Sequence, residues 1–428
     1  MGLATTVRAA IAALTLFPCV ALLAPAPAAA QAVLHDPQPI TIGETLILHS
    51  GLLKEDRRVL VHLPRGYANG SQHYPVLYLL DGDDHFLHVS GIVDYLATRG
   101  RMPAVILVGI ANTNRTRDLS PPTKSTHAIF PMPAFQMTND NELTGAGGAD
   151  TFLGFLKTEL APAIEAKYRT APFRILAGHS LGGLFVAHVL TTDADAFDAY
   201  LAASPSLWWD DEALIKRTAK AMPPIGARQH WLYMSTGEEG AAMLGPLGDF
   251  KSVLTLANPP HLAWTTRVLP GETHATTPHR VFFEGLQWLF RDYALDEDVL
   301  TAGDLGRIEG HFADASRIYG FDLTASETMI NGIGYNQIQL FKRPDKAVAI
   351  FRRNAALHPL SPNVYDSLAD GLEADGKDTE ALQNRDKAVA LATEQKDANL
   401  AAYTQARDRL KAKQGGAAGK YHPPSRKG

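Results

Sequence analysis

From about residue 40 to residue 295, short apolar runs alternate with longer stretches of helical period. Residues 59–63, 76–80, 104–110, 173–177, 199–203, 231–234 and 266–269 read as strands. Several are apolar at successive positions, the pattern of strands covered on both faces of a parallel sheet. Between them lie helical segments such as 151–168, for which Asp150 is the expected N-cap. Strand and helix in alternation predict an α/β fold around a doubly wound, mostly parallel sheet.

Two stretches break that rhythm. Residues 119–148 hold no clear period and are long for a plain connection, so they read as a cover loop or as a surface insertion. After residue 296 the composition changes, and from residue 331 to about 410 the chain is helical by pattern and rich in alanine. Ala347 and Ala381 stand 34 residues apart, as do Tyr335 and Ala369. A helix-pair repeat of that length resembles tetratricopeptide repeats, here two units with a leading and a trailing helix. The basic segment 413–428, with its glycines and prolines, reads as a disordered tail. Such a small helical domain suits packing on its neighbour, homodimerisation or capture of a protein partner.

The first 32 residues read as a secretory signal. Arg8 is followed by an uncharged apolar run over 9–23 and by small residues offering cleavage after Ala30 or Ala32. The run is too short for a comfortable membrane span. A lipid anchor on Cys19 is the alternative. The organisation expected is a signal peptide (1–32), an α/β domain (33–296), a helical domain (297–412) and a tail (413–428). An exported protein, periplasmic or secreted, follows. The chain of 428 residues carries 40 Lys+Arg against 45 Asp+Glu, for a net charge of −5. Nothing in that balance points to nucleic acid or an anionic membrane as partner. One cysteine excludes a disulfide scaffold and a cysteine-based zinc site.

The strongest chemical signal is Ala177-Gly178-His179-Ser180-Leu181-Gly182-Gly183, between a predicted strand and a helical run over 184–190. That context is a nucleophile elbow, in which a sharp turn lifts the Ser180 hydroxyl clear of the sheet. A serine needs a base within reach, and His274 follows the last predicted strand, where this fold supplies one. The acid that orients the base should follow the strand before it. Glu239 is preferred there, with Glu238, Asp210 and Asp211 as alternatives. Two backbone N–H groups should face the developing oxyanion: that of Leu181, and that of Asp83, which Gly82 allows to approach closely. Trp208 and Trp209 are candidates to stack on substrate, or to pack in the core. Arg115 is a candidate to bind an anionic substrate group, while Arg117 with Asp118 reads as an internal pair. No metal set is identified and no cofactor is required.

These motifs, in this order, resemble the Putative esterase family of α/β hydrolases. That group includes siderophore esterases of the enterobactin type, feruloyl and other carbohydrate-linked esterases, esterase D and mycolyltransferases. The matching stretches are Tyr74-Pro-Val-Leu-Tyr-Leu-Leu-Asp-Gly82, Val108-Gly-Ile110 with Arg115-Thr-Arg-Asp118, and residues 177–184. Ser204-Pro-Ser206 with Trp209, and Gly271-Glu-Thr-His274 with Gly285-Leu286, also match. The resemblance implies an α/β-hydrolase fold, Ser180 as nucleophile, His274 as base and a small-molecule ester as partner. Siderophore or hydroxycinnamoyl esters are the candidate substrates. An acyltransferase of the same fold, or a non-catalytic protein-binding module using the helical repeats, are the alternatives.

Overall fold

A computed structural model describes residues 39–123, 145–221, 225 and 228–418. The expected signal peptide and most of the stretch 119–148 lie outside the described residues. Everything described from Ile42 onward belongs to one compact unit.

Eight strands form a single sheet: β1 (Glu44–Ser50), β2 (Glu55–His62), β3 (Tyr74–Leu79), β4 (Ile106–Ile110), β5 (Thr170–His179), β6 (Ala199–Ala203), β7 (His230–Gly237) and β8 (Leu262–Leu269). Their order is β1-β2-β4-β3-β5-β6-β7-β8. β1 and β2 form an antiparallel hairpin, β2 runs antiparallel to β4, and all later pairings are parallel. Every residue of β3, β4, β6 and β7 is buried, as continuous apolar runs require. β1 was not among the expected strands. It alternates exposed and half-buried positions at the sheet edge and includes Glu44, Thr45 and His49, so it lacks a dense apolar signature.

The helices of this half, in chain order, are α1 (Gly82–Thr98), α2 (Arg115–Leu119), α3 (Ala149–Phe155), α4 (Ala161–Lys167), α5 (Leu181–Leu190), α6 (Trp209–Lys220), α7 (Ala241–Ala257) and α8 (Thr277–Leu289). Apolar residues of α1 and α8 share one core with alternate positions of the central strands. Residues of α3 to α7 share the core on the opposite face. This is the doubly wound architecture of an α/β hydrolase. The helix expected over 151–168 is present, with a π turn at Leu156–Leu160 joining α3 to α4. Its N-cap is Gly148, not Asp150. Gly145 and Gly147 carry the chain in at φ 97° and 99°, so the helix begins earlier. Asp150 instead accepts from Nε2 of His188 at 2.7 Å.

The rest of the described chain is helical: α9 (Glu297–Ala302), α10 (Leu305–Tyr319), α11 (Glu327–Gln339), α12 (Pro344–Leu357), α13 (Pro362–Ala374), α14 (Asp378–Gln395) and α15 (Leu400–Ala418). From α11 onward each helix packs on the next. Ala347 and Ala381, at matching places in α12 and α14, are both fully buried. Arg385 is buried among Asp366, Asp370 and Glu373, with Glu373 Oε1 at 2.8 Å. α15 extends past residue 412, where the tail was expected to start. The helical half continues the core of the sheet. Phe173 of β5 lies 5.7 Å from Trp231 and 5.3 Å from Phe321, ring centre to ring centre, while Trp231 lies 5.4 Å from Tyr319. Among the described residues no helix is long and apolar enough to cross a membrane.

Candidate active site

β5 ends at His179 and α5 starts at Leu181, so the chain reverses at Ser180, with φ 59° and ψ −115°. A non-glycine residue held there is strained, and the turn leaves its hydroxyl clear of the sheet. The elbow is tight enough that a Cβ on Gly178 would lie 2.5 Å from the backbone of Gly182. Ser180 Oγ lies 3.3 Å from Oγ of Ser206, whose N–H donates to the Ser180 carbonyl at 3.0 Å. Ser206 has no role assigned from sequence beyond its place in the stretch Ser204-Pro-Ser206, which follows β6, the strand paired with β5.

The loops after β7 and β8 bring Glu239 and His274 together. Nδ1 of His274 lies 2.6 Å from Oε2 of Glu239. The other carboxylate oxygen accepts from Ser204 Oγ at 2.5 Å, Gly237 N–H at 2.8 Å and Thr277 Oγ1 at 3.2 Å. Burial would raise the Glu239 carboxyl, but the hydrogen bonds from His274, Ser204 and Gly237 outweigh it and hold the group at about 2. Glu238 turns outward and receives the Gly271 N–H at 3.1 Å. Asp211 is exposed and paired with Lys216, away from His274. Of the four carboxylates considered, Glu239 is the one that meets the histidine.

The loop after β3 lies beside the elbow, since β3 pairs with β5. Asp81 takes a left-handed conformation, φ 52°, and Gly82 and Asp83 open α1. The first N–H groups of a helix have no acceptor within it, so these two are available to an anion. A Cβ on Gly82 would meet Gly109 C at 2.7 Å and Ile110 N at 2.8 Å, so this close approach requires glycine. The Asp83 carboxylate is engaged by Arg58 and by Asn112 N–H. Leu181 is the first residue of α5, placing its N–H at the mouth of that helix.

Arg115 lies at the same edge, with its guanidinium bound to Asp81 Oδ1 at 2.6 Å, to Oδ2 at 3.0 Å and to the His179 carbonyl at 3.2 Å. Burial would raise Asp81, yet Arg115 and Asn112 keep its carboxyl below the usual range. Arg117 bridges Asp118 and Glu55, the internal role expected of it. Trp209 belongs to the apolar core and is 6% exposed, whereas Trp208 is half-buried beside it, ring centres 6.2 Å apart. Two tryptophans adjacent in sequence thus differ in burial where the chain enters α6.

Four more histidines gather behind His274. Ring centres lie 4.6 Å apart for His179 and His274, 5.5 Å for His85 and His179, and 5.3 Å for His88 and His279. His85 Nδ1 and His88 Nε2 are hydrogen-bonded at 3.1 Å. Burial drives His179 down to about 3 and His88 to about 4, so both are neutral at ordinary pH. The cluster left no mark in the sequence, because its members come from the elbow, α1, α8 and the loop after β8. Among the described residues no group of three or more His, Cys, Asp or Glu is arranged to hold a metal.

Residues 50–274 match the family described as Putative esterase. The chain belongs to this family. Within the Putative esterase family its curated relatives include the ferri-bacillibactin esterase BesA of Bacillus subtilis, 38% identical over 34% of this chain and 52% of the relative. The siderophore triacetylfusarinine C esterase of Aspergillus fumigatus is 33% identical over 33% and 47%. The chain thus spans about half the length of the curated relatives it matches. Among solved structures, an IroE-like serine hydrolase from Shewanella oneidensis superimposes with a TM-score of 0.60 at 32% identity. That match covers 72% of this chain and 98% of the other. An uncharacterised protein from Capnocytophaga ochracea, 15% identical, matches 86% of this chain and 99% of its own with a TM-score of 0.54, a likeness of fold alone.

Proposed function

We propose that the chain is a serine carboxylic-ester hydrolase acting on siderophore esters. The observation that carries this reading is the Glu239–His274 hydrogen bond at 2.6 Å beside a strained Ser180 elbow. His274 takes the Ser180 proton as Oγ attacks the ester carbonyl carbon. The N–H groups of Leu181 and Asp83 hold the negative charge on the tetrahedral oxygen. The C–O bond to the alcohol then breaks, and His274 returns the proton to the departing oxygen. Water, losing a proton to His274, attacks the acyl-enzyme and releases the acid. Glu239 keeps the imidazole in the tautomer this requires and stabilises its cation. No step needs a cofactor.

Three named relatives support the substrate class: the esterases for ferri-bacillibactin, triacetylfusarinine C and enterobactin. Arg115, neutralised by Asp81, is read as a support of the site rather than a substrate ligand. Half-buried Trp208 is the aromatic surface offered to substrate. The leader-like residues 1–32 support an exported location, and the segment 297–412 is read as a domain that packs or dimerises.

The test is hydrolysis of p-nitrophenyl esters from acetate to decanoate, and of ferri-bacillibactin, enterobactin and triacetylfusarinine C, by wild type and Ser180→Ala. The expected result is activity abolished by the substitution, with kcat/KM highest on a siderophore. Equal near-background rates for both proteins on every ester overturn the hydrolase reading. A preference for p-nitrophenyl esters overturns the substrate class alone.

A further inference from the structure

His179, the residue before Ser180, has no part in the scheme above, yet it contacts His274, His85 and Arg115. Its Nε2–H donates to the backbone carbonyl of His274 at 2.9 Å. A carbonyl only accepts, so the proton sits on Nε2 and Nδ1 is bare. On the other side, the His179 carbonyl accepts from Arg115 Nη2 at 3.2 Å, and both oxygens of Asp81 hold Arg115. One residue therefore ties the β3–α1 loop and the elbow to the loop carrying the base. Other hydrogen bonds of that base loop are local, such as Thr273 N–H to Thr276 Oγ1, or lead to Glu238 and Glu239. Among the described residues, the His179 bond is the one that fixes the base loop against the elbow itself.

The site also demands that this donor be uncharged. Proton transfer from Ser180 turns His274 into a cation, and a second cation with its ring centre 4.6 Å away would oppose it. Burial, together with His274 and His85, depresses His179 to about 3, while Asp81 acts the other way and Arg115 adds to the depression. A histidine placed there donates without carrying charge.

We propose that His179 is a positioning residue, whose Nε2–H fixes the backbone of His274 and so sets the base against Ser180. This rests on the ester-hydrolase reading for its kinetic arm only. His179→Gln places an amide N–H near the position of the imidazole Nε2–H, whereas His179→Leu keeps similar bulk and removes the donor. Two readouts are taken on the full chain. One is the downfield proton resonance of His274 Nδ1–H on Glu239, assigned by its loss in Glu239→Gln. The other is kcat and KM for a p-nitrophenyl ester. In His179→Leu the resonance is expected to broaden by exchange and kcat to fall by about 10- to 100-fold with KM unchanged. His179→Gln is expected to restore both. A leucine variant equal to wild type in both readouts overturns the proposal. So does a glutamine variant as impaired as the leucine one, which would make packing, not the donated bond, the cause. If wild type hydrolyses no ester, the resonance still decides about His179, and the kinetic failure counts against the hydrolase reading alone.

Discussion

Oε2 of Glu239 lies 2.6 Å from Nδ1 of His274, and the Glu239 side chain is only 4% exposed. A carboxylate so enclosed is ionised only because donors surround it, and the imidazole is one of them. The bond that orients the His274 ring thus also helps, with those from Ser204 and Gly237, to keep the Glu239 carboxylate charged.

Glu239→Gln keeps the shape of the site and removes that charge. The expected loss in kcat is about 10²- to 10⁴-fold, with KM little changed. Glu238→Gln, at the outward-facing neighbour, should stay within a few-fold of wild type. Steady-state kinetics of the two variants side by side distinguish the adjacent glutamates.

The same carboxyl gives a pH signature in stability. Its folded value of about 2 lies below the ordinary 4.5, so it stabilises the fold above pH 4.5 and ceases to do so as pH falls through 2. The full contribution is on the order of 3 kcal/mol. Urea unfolding of wild type and Glu239→Gln from pH 7 to pH 3 should show the difference shrinking steadily below pH 4.5.

His88 acts at higher pH with the same sign. Burial lowers it to about 4 from 6.5, and its ring is stacked on Phe282 with centres 6.2 Å apart. The unfolded chain gains its proton first, so wild type loses stability as pH falls from 6.5 towards 4. His88→Phe keeps the stacking and cannot titrate. Relative to its offset at pH 7.5, the variant should gain on the order of 1 kcal/mol at pH 5, read from melting curves at both pH values.

Gly82→Ala sets a methyl group against the backbone of Gly109 and Ile110, which no rotamer change relieves. The start of α1 has to move, with a stability cost of about 1–3 kcal/mol. Because Asp83 N–H moves with it, activity should fall further than the stability loss explains. Activity measured well below the midpoint of unfolding separates the two effects.

In the helical half, Arg385→Met leaves Asp366, Asp370 and Glu373 facing one another without their shared cation. A loss of about 3–5 kcal/mol is expected from a broken buried ion cluster. Replacing all four by apolar residues of similar size should recover much of it. Denaturant midpoints of the single and quadruple variants check both statements.

The elbow was legible because its signal is local: glycines flank Ser180, with a strand before and a helix after. His274 was legible from chain order, which this topology imposes. The choice between Glu238 and Glu239 was not a matter of composition, since the two are neighbours and only the turn after Gly237 decides which faces inward. Ser206, His85, His88 and His179 were invisible as a group because contacts between remote segments leave no spacing to read. β1 escaped because an edge strand with polar residues on its open side lacks the apolar density that marks the central strands. The start of α6 was equally hidden: Asp210, Asp211 and Glu212 take φ of 49°, 52° and 59°, a left-handed kink within an otherwise ordinary helical pattern.

The aromatic cluster of Phe173, Trp231, Tyr319 and Phe321 bears on how the chain is made. Synthesis runs from the N-terminus, so Phe173 and Trp231 are laid down well before the residues that cover them. Until the chain has run on to Tyr319 and Phe321, the growing polypeptide carries an uncovered aromatic face at the base of its sheet. A nascent chain halted near residue 296 would keep that face in water, where it invites self-association. The helices that follow thus finish a surface the first half cannot finish alone, and a ribosome stalled before them would release an aggregation-prone fragment.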